Sequence, residues 1–380
     1  MKIIVSSMAS AVRHRGPDDA GTWVDSRVGV AFGHRRLAIV DLSEEGHQPM
    51  VSKTGRYILA FNGEIYNFRS VRDELDTLGE RFRGRSDTEV LLQAIERWGL
   101  EGSLPRMNGM FSLALWDVRQ RTLYLARDRM GEKPLYYGWC GSAFLFGSEL
   151  KSVRAYPGFN AEIDRGAAAL FLRHNCIPSP HSIYSGICKL APGTIATLAP
   201  EHRPGHGPAL SSYWRLSDIV ENGANDPLGG SPSDIADHLE SALLDAVGLQ
   251  MRADVPLGAF LSGGIDSSLI VALMQAQSGR PVKTFTAGFG EAAYDEAEPA
   301  AKVAAHLGTE HVELRITADD ALAVIPHLPM LYDEPFADSS QIPTFLISKM
   351  TRDHVTVSLS GDGGDELFGG YNRYTWCPSL

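Results

Sequence analysis

Up to Trp214, short strand-like runs alternate with glycine or Asx turns. These runs cover residues 29–41, 57–65, 110–116, 122–127 and 143–147. Helical spacing appears in residues 68–78 and again in residues 87–98, where apolar side chains recur every three or four positions. The pattern predicts an antiparallel sheet layered with helices, which is an α+β arrangement.

The later part of the chain has a different pattern. Residues 204–232 are rich in Pro, Gly, Ser, Asn and Asp, which is typical of a linker. Beyond them, helix 233–251, strand 282–287, helix 297–307 and strand 355–359 alternate. Such alternation predicts parallel βαβ units and an α/β fold. We therefore expect a first domain at residues 1–200, a linker at 201–232 and a second domain at 233–380.

A glycine and hydroxyl loop at residues 261–268 follows the apolar run 255–260 and precedes a helical pattern. Gly263 and Gly264 allow successive backbone N–H groups to face one anion, and the helix that follows adds its positive end. The loop lacks the lysine of the common nucleotide-binding motif G-x-x-x-x-G-K-[ST]. Asp266 is an acid in this anion-binding loop, and a magnesium ion would reconcile its charge with that of a phosphate.

A second loop of the same kind begins at Ser360, after the strand-like residues 354–359. Its acids Asp362, Asp365 and Glu366 lie among glycines, an arrangement that a bound cation would stabilise. Open α/β sheets bind ligands at the carboxyl ends of their strands, where both loops would lie. We expect one magnesium ion shared by Asp266 and Asp365 against a pyrophosphate. The alternative is a solvated acidic turn.

Composition narrows the class of protein. The apolar fraction of 44% and the charged fraction of 21% are those of an ordinary globular chain. A net charge of -11 argues against nucleic acid or an anionic membrane as the main partner. No apolar run is long enough to span a bilayer, so we expect a cytoplasmic enzyme. The four cysteines are scattered and indicate neither a zinc site nor a disulfide framework.

Six motifs occur in a fixed order along the chain. They are HRGPDD at 14–19, FNGEIYN at 61–67, LARDRMGEKPLYY at 125–137, FLSGGIDSS at 260–268, YDEPFADSS at 332–340 and SGDGGDELFGGYNRY at 360–374. With these motifs the chain resembles the glutamine-dependent asparagine synthetase family. The resemblance implies a four-layer αββα class II glutamine amidotransferase domain. A parallel-sheet synthetase domain of the ATP pyrophosphatase type would follow it.

The resemblance also implies a glutamine site in the first domain. Arg36 would bind the α-carboxylate, and Glu64 and Asp87 would hold the α-ammonium group. Asn62 and Gly63 would form an oxyanion hole, in which a side-chain amide and a backbone N–H face developing negative charge. Taken without the resemblance, Asn62-Gly63 is a turn dipeptide, and a β-hairpin is then the favoured interpretation.

In the second domain, the resemblance implies an ATP site. The residues that would line ATP or its pyrophosphate are Leu261, Ser262, Gly263, Gly264, Asp266, Ser267, Ser268, Ala287, Ser360 and Gly361. Asp362 matches the acid that is important for forming a β-aspartyl adenylate. The implied reaction uses ATP with Mg²⁺ to convert aspartate to asparagine, with nitrogen from glutamine or ammonia. A homodimer is a further candidate feature.

The chain departs from the family pattern at both ends. Class II amidotransferases use an amino-terminal cysteine, whereas this chain begins Met1-Lys2-Ile3 and its first cysteine is Cys140. We therefore expect the strand that bears the nucleophile to be missing and glutamine not to be hydrolysed. At the other end the family continues past GGYNRY, so we expect a shortened synthetase domain. The alternatives are a relative that adenylates another carboxylate, such as a β-lactam synthetase or a sugar-acid amidotransferase, and a non-catalytic nucleotide-binding remnant.

Overall fold

The computed structural model describes residues 1–289, 296–372 and 374. It divides into two compact units. Unit 1 comprises Met1–Pro227 and Pro329–Ala337, and unit 2 comprises Leu228–Leu328 and Asp338–Leu380. In the described part of the chain, no helix combines the length and the apolar character that a membrane span requires.

Unit 1 contains both strands and helices. Its strands are β1 (Asp19–Asp25), β2 (Val30–Arg36), β3 (Met50–Val51), β4 (Tyr57–Ile65), β5 (Gly109–Asp117), β6 (Thr122–Arg127), β7 (Tyr136–Cys140), β8 (Ala143–Gly147), β9 (Ile187–Lys189), β10 (Thr194–Leu198) and β11 (Ala209–Ser212). Its helices are α1 (Lys2–Ser10), α2 (Phe68–Thr77), α3 (Asp87–Ser103), α4 (Leu150–Arg154), α5 (Arg165–His174) and α6 (Leu216–Asn225).

Three antiparallel sheets form unit 1. The largest has the order β11-β10-β6-β5-β4-β3, and the others are β1-β2 and β8-β7-β9. Successive side chains of a strand point to opposite faces, and β5 shows this clearly. Leu113 and Leu115 join the core with α2 and α3. Ala114 and Trp116 join a second core with Phe32 of β2 and Tyr137 of β7. The large sheet is therefore buried on both faces.

Helices close the outer side of the smaller sheets. α1 packs on β2, where a Cβ at Gly33 would lie 3.1 Å from the Cβ of Ala9. Leu145 of β8 shares a third core with residues of α4 and α5, among them Leu150 and Ala167. The order is thus helices, large sheet, small sheets, helices. This confirms the predicted four-layer αββα arrangement.

Three segments differ from the sequence-based expectation. The predicted strand at 29–41 is too long, because β2 ends at Arg36 and residues 40–43 fold around the Arg36 guanidinium. The expected linker at 201–232 contains β11, which pairs with β10, and α6. Residues 2–10, for which no element was predicted, form α1.

Unit 2 has the predicted alternation of helices and strands. Its elements are α7 (Pro232–Gln250), β12 (Leu257–Phe260), α8 (Ile265–Gln277), β13 (Lys283–Phe289), α9 (Ala297–Leu307), β14 (Glu310–Ile316), α10 (Ala318–Val324), α12 (Gln341–Thr351), β15 (Val357–Leu359) and α13 (Gly364–Phe368). A short helix, α11 (Leu328–Leu331), spans the boundary at residue 329.

The sheet of unit 2 has the order β14-β13-β12-β15, and every neighbouring pair is parallel. This confirms the predicted parallel-sheet fold. Phe285 of β13 is fully buried, and Ala259 of β12 packs with Val271 and Met274 of α8. Because β12 and β15 are parallel neighbours, the two glycine-rich loops that follow them leave the same edge of the sheet.

Buried and exposed leucines of the large sheet give a matched test of this packing. Leu59 of β4 is 0% exposed and Leu210 of β11 is 58% exposed. We expect Leu59→Ala to lower the free energy of unfolding of unit 1 by about 2–5 kcal/mol, because it removes buried methyl groups and leaves a cavity. Leu210→Ala should change it by less than about 0.5 kcal/mol. Urea unfolding followed by tryptophan fluorescence measures both, and equal effects would contradict the assignment of Leu59 to the core and of Leu210 to the surface.

Candidate functional site

A cavity of about 660 Å³ lies in unit 1. Its lining includes each residue that the sequence assigned to the glutamine site, namely Arg36, Asn62, Gly63, Glu64 and Asp87. These residues come from β2, β4 and the start of α3, so the fold brings together positions far apart in the chain. Side chains of α1, including Val5 and Met8, also line it. Among the described residues of the lining there is no cysteine.

Asn62 and Gly63 lie inside β4 rather than at a hairpin turn. They pair with Ser112 and Phe111 of β5. A Cβ at Gly63 would lie 2.1 Å from the carbonyl oxygen of Met110, so the close approach of β5 requires glycine here. The Asn62 amide nitrogen donates to Ser148 Oγ at 3.3 Å. The hairpin-turn interpretation of this dipeptide is therefore wrong.

The Arg36 guanidinium is held by backbone oxygens of the loop that follows β2. The side chain is buried, and it donates to the carbonyl oxygens of Ser43 at 2.9 Å and Val40 at 3.4 Å, and to that of Asp41. These bonds fix the plane of the guanidinium at the wall of the cavity. A cation fixed in this way provides a preorganised partner for a carboxylate.

Glu64 and Asp87 form an acidic region in the same cavity. Asp87 begins α3 and accepts hydrogen bonds from the N–H groups of Ile65 at 2.9 Å and Thr88 at 2.7 Å. Burial raises its pKa to about 6, although these hydrogen bonds lower it. Burial, together with the nearby Asp87, raises the pKa of Glu64 to about 7, while Lys133 acts in the opposite direction. A buried carboxyl group, that of Asp87, and a half-buried one, that of Glu64, both with raised pKa values, favour a bound cation.

Two further residues of the cavity were not assigned a role from sequence. His34 Nε2 donates to the Phe61 carbonyl at 2.9 Å, whereas its buried Nδ1 has no hydrogen-bond partner within the described residues. Burial lowers the pKa of His34 to about 4, so the ring is neutral. Burial, with Arg15, lowers the pKa of Lys133, and Glu64 acts to raise it. Lys133 lies in the motif LARDRMGEKPLYY, but only the fold brings it near Glu64.

The loop after β12 is held by its own hydroxyl groups. Ser262 N–H donates to Ser267 Oγ at 3.1 Å, and Gly264 N–H donates to Ser262 Oγ at 3.2 Å. Gly263 has a φ of +78°, and a Cβ there would lie 2.7 Å from Pro299 Cβ, so both conformation and space favour glycine. The Ser268 hydroxyl is buried and has no hydrogen-bond partner in the described part of the chain. The loop leads directly into the first turn of α8, which begins at Ile265.

The loop after β15 packs against the same helix start. A Cβ at Gly361 would lie 2.7 Å from the Ser267 nitrogen, and one at Gly364 would lie 2.5 Å from Asp266 Oδ2. Within this loop the Ser360 hydroxyl donates to Asp362 Oδ2 at 3.0 Å. The structure therefore brings the two predicted loops together at the carboxyl edge of the sheet.

The other residues that the sequence predicted for this region include Leu261, Ala287 and Asp365. Leu261 is buried and its N–H donates to the Phe285 carbonyl at 2.8 Å, and Ala287 lies near the end of β13. The Asp365 carboxylate is turned toward Gly370, since a Cβ there would lie 1.8 Å from its Oδ1. Within the described ranges, no group of three or more His, Cys, Asp or Glu side chains is arranged to hold a metal ion.

Comparison with known protein families defines the class of protein to which the chain belongs. Residues 2–214 match the glutamine amidotransferase domain family, and residues 238–379 match the asparagine synthase family. An amidotransferase domain is thus followed by a synthase domain in one chain.

Curated relatives define the family further. Asparagine synthetase [glutamine-hydrolyzing] 1 of Bacillus subtilis is 37% identical over 98% of this chain and 56% of its own length. A putative asparagine synthetase [glutamine-hydrolyzing] of Mycobacterium tuberculosis is 37% identical over 97% of this chain and 57% of its own. A putative asparagine synthetase [glutamine-hydrolyzing] 2 of Methanocaldococcus jannaschii is 36% identical over 97% and 72%.

These matches show that the chain belongs to the glutamine-hydrolysing asparagine synthetase family. This confirms the resemblance that the six motifs indicated. The chain spans 56% of the Bacillus protein and 57% of the Mycobacterium protein.

The raised pKa of Glu64 predicts a specific dependence of stability on pH. Ionised Glu64 opposes folding, fully at pH values above its folded pKa of about 7, and the penalty disappears as the pH falls toward 4.5. We therefore expect Glu64→Gln to increase the free energy of unfolding by about 1–3 kcal/mol at about pH 8. The gain should shrink to within about 0.5 kcal/mol near pH 4.5.

Thermal or urea unfolding at both pH values measures this difference. Glu101→Gln, at an exposed position of α3, is the control and should show no such trend. A gain for Glu64→Gln that is the same at both pH values would contradict the raised pKa of this half-buried carboxyl group.

Proposed function

We propose that this chain contributes to ATP-dependent synthesis of asparagine from aspartate, with a first unit that binds glutamine and with ammonia as the attacking nitrogen. The observation that carries the proposal is the paired loop arrangement in unit 2, where Gly361 and Gly364 approach the start of α8 next to Ser267 and Asp266. A glycine-rich loop at a helix start suits a phosphate group. Membership of the asparagine synthetase family supports aspartate as the acceptor.

The cavity of unit 1 suits the head group of an amino acid. Arg36 is the proposed partner of the α-carboxylate, and Glu64 with Asp87 is the proposed partner of the α-ammonium group. Ionisation of both acids would be favoured by that bound cation, because burial otherwise opposes it. The Asn62 amide and the Gly63 N–H would stabilise negative charge on the carboxamide oxygen.

The proposed chemistry in unit 2 has two steps. A side-chain carboxylate oxygen of aspartate attacks the α-phosphorus of ATP, forming β-aspartyl-AMP and releasing pyrophosphate. Ammonia then attacks the activated carbonyl carbon, and AMP leaves as asparagine forms. Asp362 is the proposed acid for the adenylation step, and its carboxylate is oriented by the Ser360 hydroxyl at 3.0 Å.

The proposed nucleotide contacts follow the two loops. Ser262, Gly263, Gly264, Ser267 and Ser268 would surround the pyrophosphate, while Leu261, Ala287, Ser360 and Gly361 would line the rest of ATP. The unpartnered Ser268 hydroxyl is a donor suited to a phosphate oxygen.

The proposal for magnesium is supported by the Asp266 carboxylate, which faces the loop that carries Asp365, since a Cβ at Gly364 would lie 2.5 Å from Asp266 Oδ2. Together these two acids are the proposed Mg²⁺ ligands, and the ion would neutralise charge on the leaving pyrophosphate. The domain limits at 200 and 232, a cytoplasmic location and a homodimer stay predictions.

The direct test of the function is an assay of the purified chain with ATP, magnesium, aspartate and ammonium. We expect AMP, pyrophosphate and asparagine to form in equal amounts and only when aspartate is present. Asp362→Asn should lower the rate at least about a hundredfold, because it removes the proposed acid of the adenylation step. Pyrophosphate release that is faster with another carboxylate than with aspartate would contradict the proposed substrate.

Nucleotide binding can be measured independently of turnover. ATP with magnesium at a hundred times its dissociation constant should stabilise unit 2 by about 2.7 kcal/mol. Asp266→Ala and Asp365→Ala should each reduce the magnesium-dependent part of the thermal shift, while Asp362→Asn should keep it. Asp353→Ala, at an exposed position before β15, is the control. A wild-type chain that folds and shows no magnesium-dependent shift with ATP would rule out the proposed site.

A further inference from the structure

Asp41 bridges two loops that are distant in the sequence. Its side chain is buried, at 8% exposure, and its backbone has a φ of 57°, which is uncommon for a residue other than glycine. One carboxylate oxygen, Oδ1, accepts from the N–H of Ser43 at 3.0 Å and from its hydroxyl at 2.5 Å. The other, Oδ2, accepts from the N–H of Arg85 at 2.6 Å. A single carboxylate therefore joins the two segments.

On one side of this bridge lies the loop that holds Arg36. The carbonyl oxygens of Val40, Asp41 and Ser43 are those that accept hydrogen bonds from the Arg36 guanidinium. The conformation of this loop therefore sets the position of the guanidinium. Because the Asp41 carboxylate binds Ser43 within the same loop, it helps to set that conformation.

On the other side lies the segment that leads to Asp87. Arg85 is two residues before Asp87, and Ser86 caps α3 by accepting from the N–H of Glu89 at 3.2 Å. The Glu89 carboxylate accepts from the N–H groups of Arg83 and Gly84, each at 2.8 Å. A Cβ at Gly84 would lie 2.6 Å from Asp41 Oδ2, so the two segments are in close contact here.

The charge of Asp41 is maintained by its surroundings. Burial raises its pKa, but the hydrogen bonds from Ser43 and Arg85 and the nearby Arg36 together lower it below its ordinary value. The group is therefore an ionised acceptor at neutral pH. Asp41 is not among the described residues that line the cavity, whereas Arg36, Val40 and Asp87 are.

We propose that Asp41 is a positioning residue, which sets the separation between the Arg36 guanidinium and the Asp87 carboxylate. These are the two groups assigned to the opposite charges of an amino-acid head group, so the inference rests on the proposed glutamine site. Asp41 acts on the ligand only through Arg36 and Asp87. The ligand of this site would be an α-amino acid zwitterion, and the distance between its two charges must match the separation of Arg36 and Asp87.

The test uses Asp41→Asn in the full chain. The asparagine amide keeps the shape of the side chain but accepts at one position only, and its NH₂ group would face an N–H of Ser43 or Arg85. We expect the dissociation constant for L-glutamine, measured by calorimetry, to rise at least about tenfold. Amide hydrogen exchange should become faster both at residues 40–45 and at residues 83–87.

Asp117→Asn is the matched control. Asp117 is also a buried carboxylate of unit 1, at 1% exposure, and it accepts from the N–H groups of Arg119 and Gln120 at 2.9 and 3.0 Å. Asp117 is not among the residues that line the cavity. We expect this variant to lower the melting temperature while changing the dissociation constant for glutamine by less than about twofold.

The outcomes separate the two proposals. Asp41→Asn with the wild-type dissociation constant would overturn the positioning role, even if it lowers the melting temperature as Asp117→Asn does. A wild-type chain that binds no glutamine contradicts the proposed glutamine site, and the exchange data then decide alone whether Asp41 joins the two segments. Faster exchange in only one segment would overturn the inference. If Asp41→Asn does not fold, Ser43→Ala replaces it, with an expected rise of about threefold in the dissociation constant.

Discussion

Burial of the six-stranded sheet of unit 1 on both faces is the constraint on which its chemistry depends. Leu59 and Phe61 of β4 enter one core and Ile58 enters the other, so the middle of the strand has no place for a polar group. Polar residues can therefore occur only where β4 nears its end, at Asn62 to Glu64, which line the cavity. Arg36 and Asp87 reach the cavity from the ends of their own elements.

Charge in that cavity is balanced by backbone groups as well as by side chains. Carbonyl oxygens hold the Arg36 guanidinium, and N–H groups hold the Asp87 carboxylate. Such bonds place both charges before a ligand arrives, which lowers the entropy lost on binding. Unit 2 forms its candidate site in a different way. Its parallel strands β12 and β15 deliver two glycine-rich loops to one edge, and the missing Cβ atoms let the loops touch.

Much of this architecture is predictable from the sequence, because the relevant signals are local. The runs 57–65, 122–127, 143–147 and 297–307 have the bounds of β4, β6, β8 and α9. The run 29–41 was overestimated, because the apolar residues 37–40 resemble a strand but belong to the loop around Arg36. β11 and α6 were missed because their segment is polar and rich in glycine. The bridge made by Asp41 was also missed, since its partner Arg85 is brought near only by the fold.

The most direct test of the account is a crystal structure of the chain with L-glutamine, ATP and magnesium bound. The account predicts density for the amino-acid head group between Arg36 and the carboxylates of Glu64 and Asp87. It also predicts the triphosphate between residues 262–268 and 360–365, with the metal ion on Asp266. A structure in which ATP binds elsewhere, or in which the 660 Å³ cavity holds glutamine with its charges reversed, would contradict it.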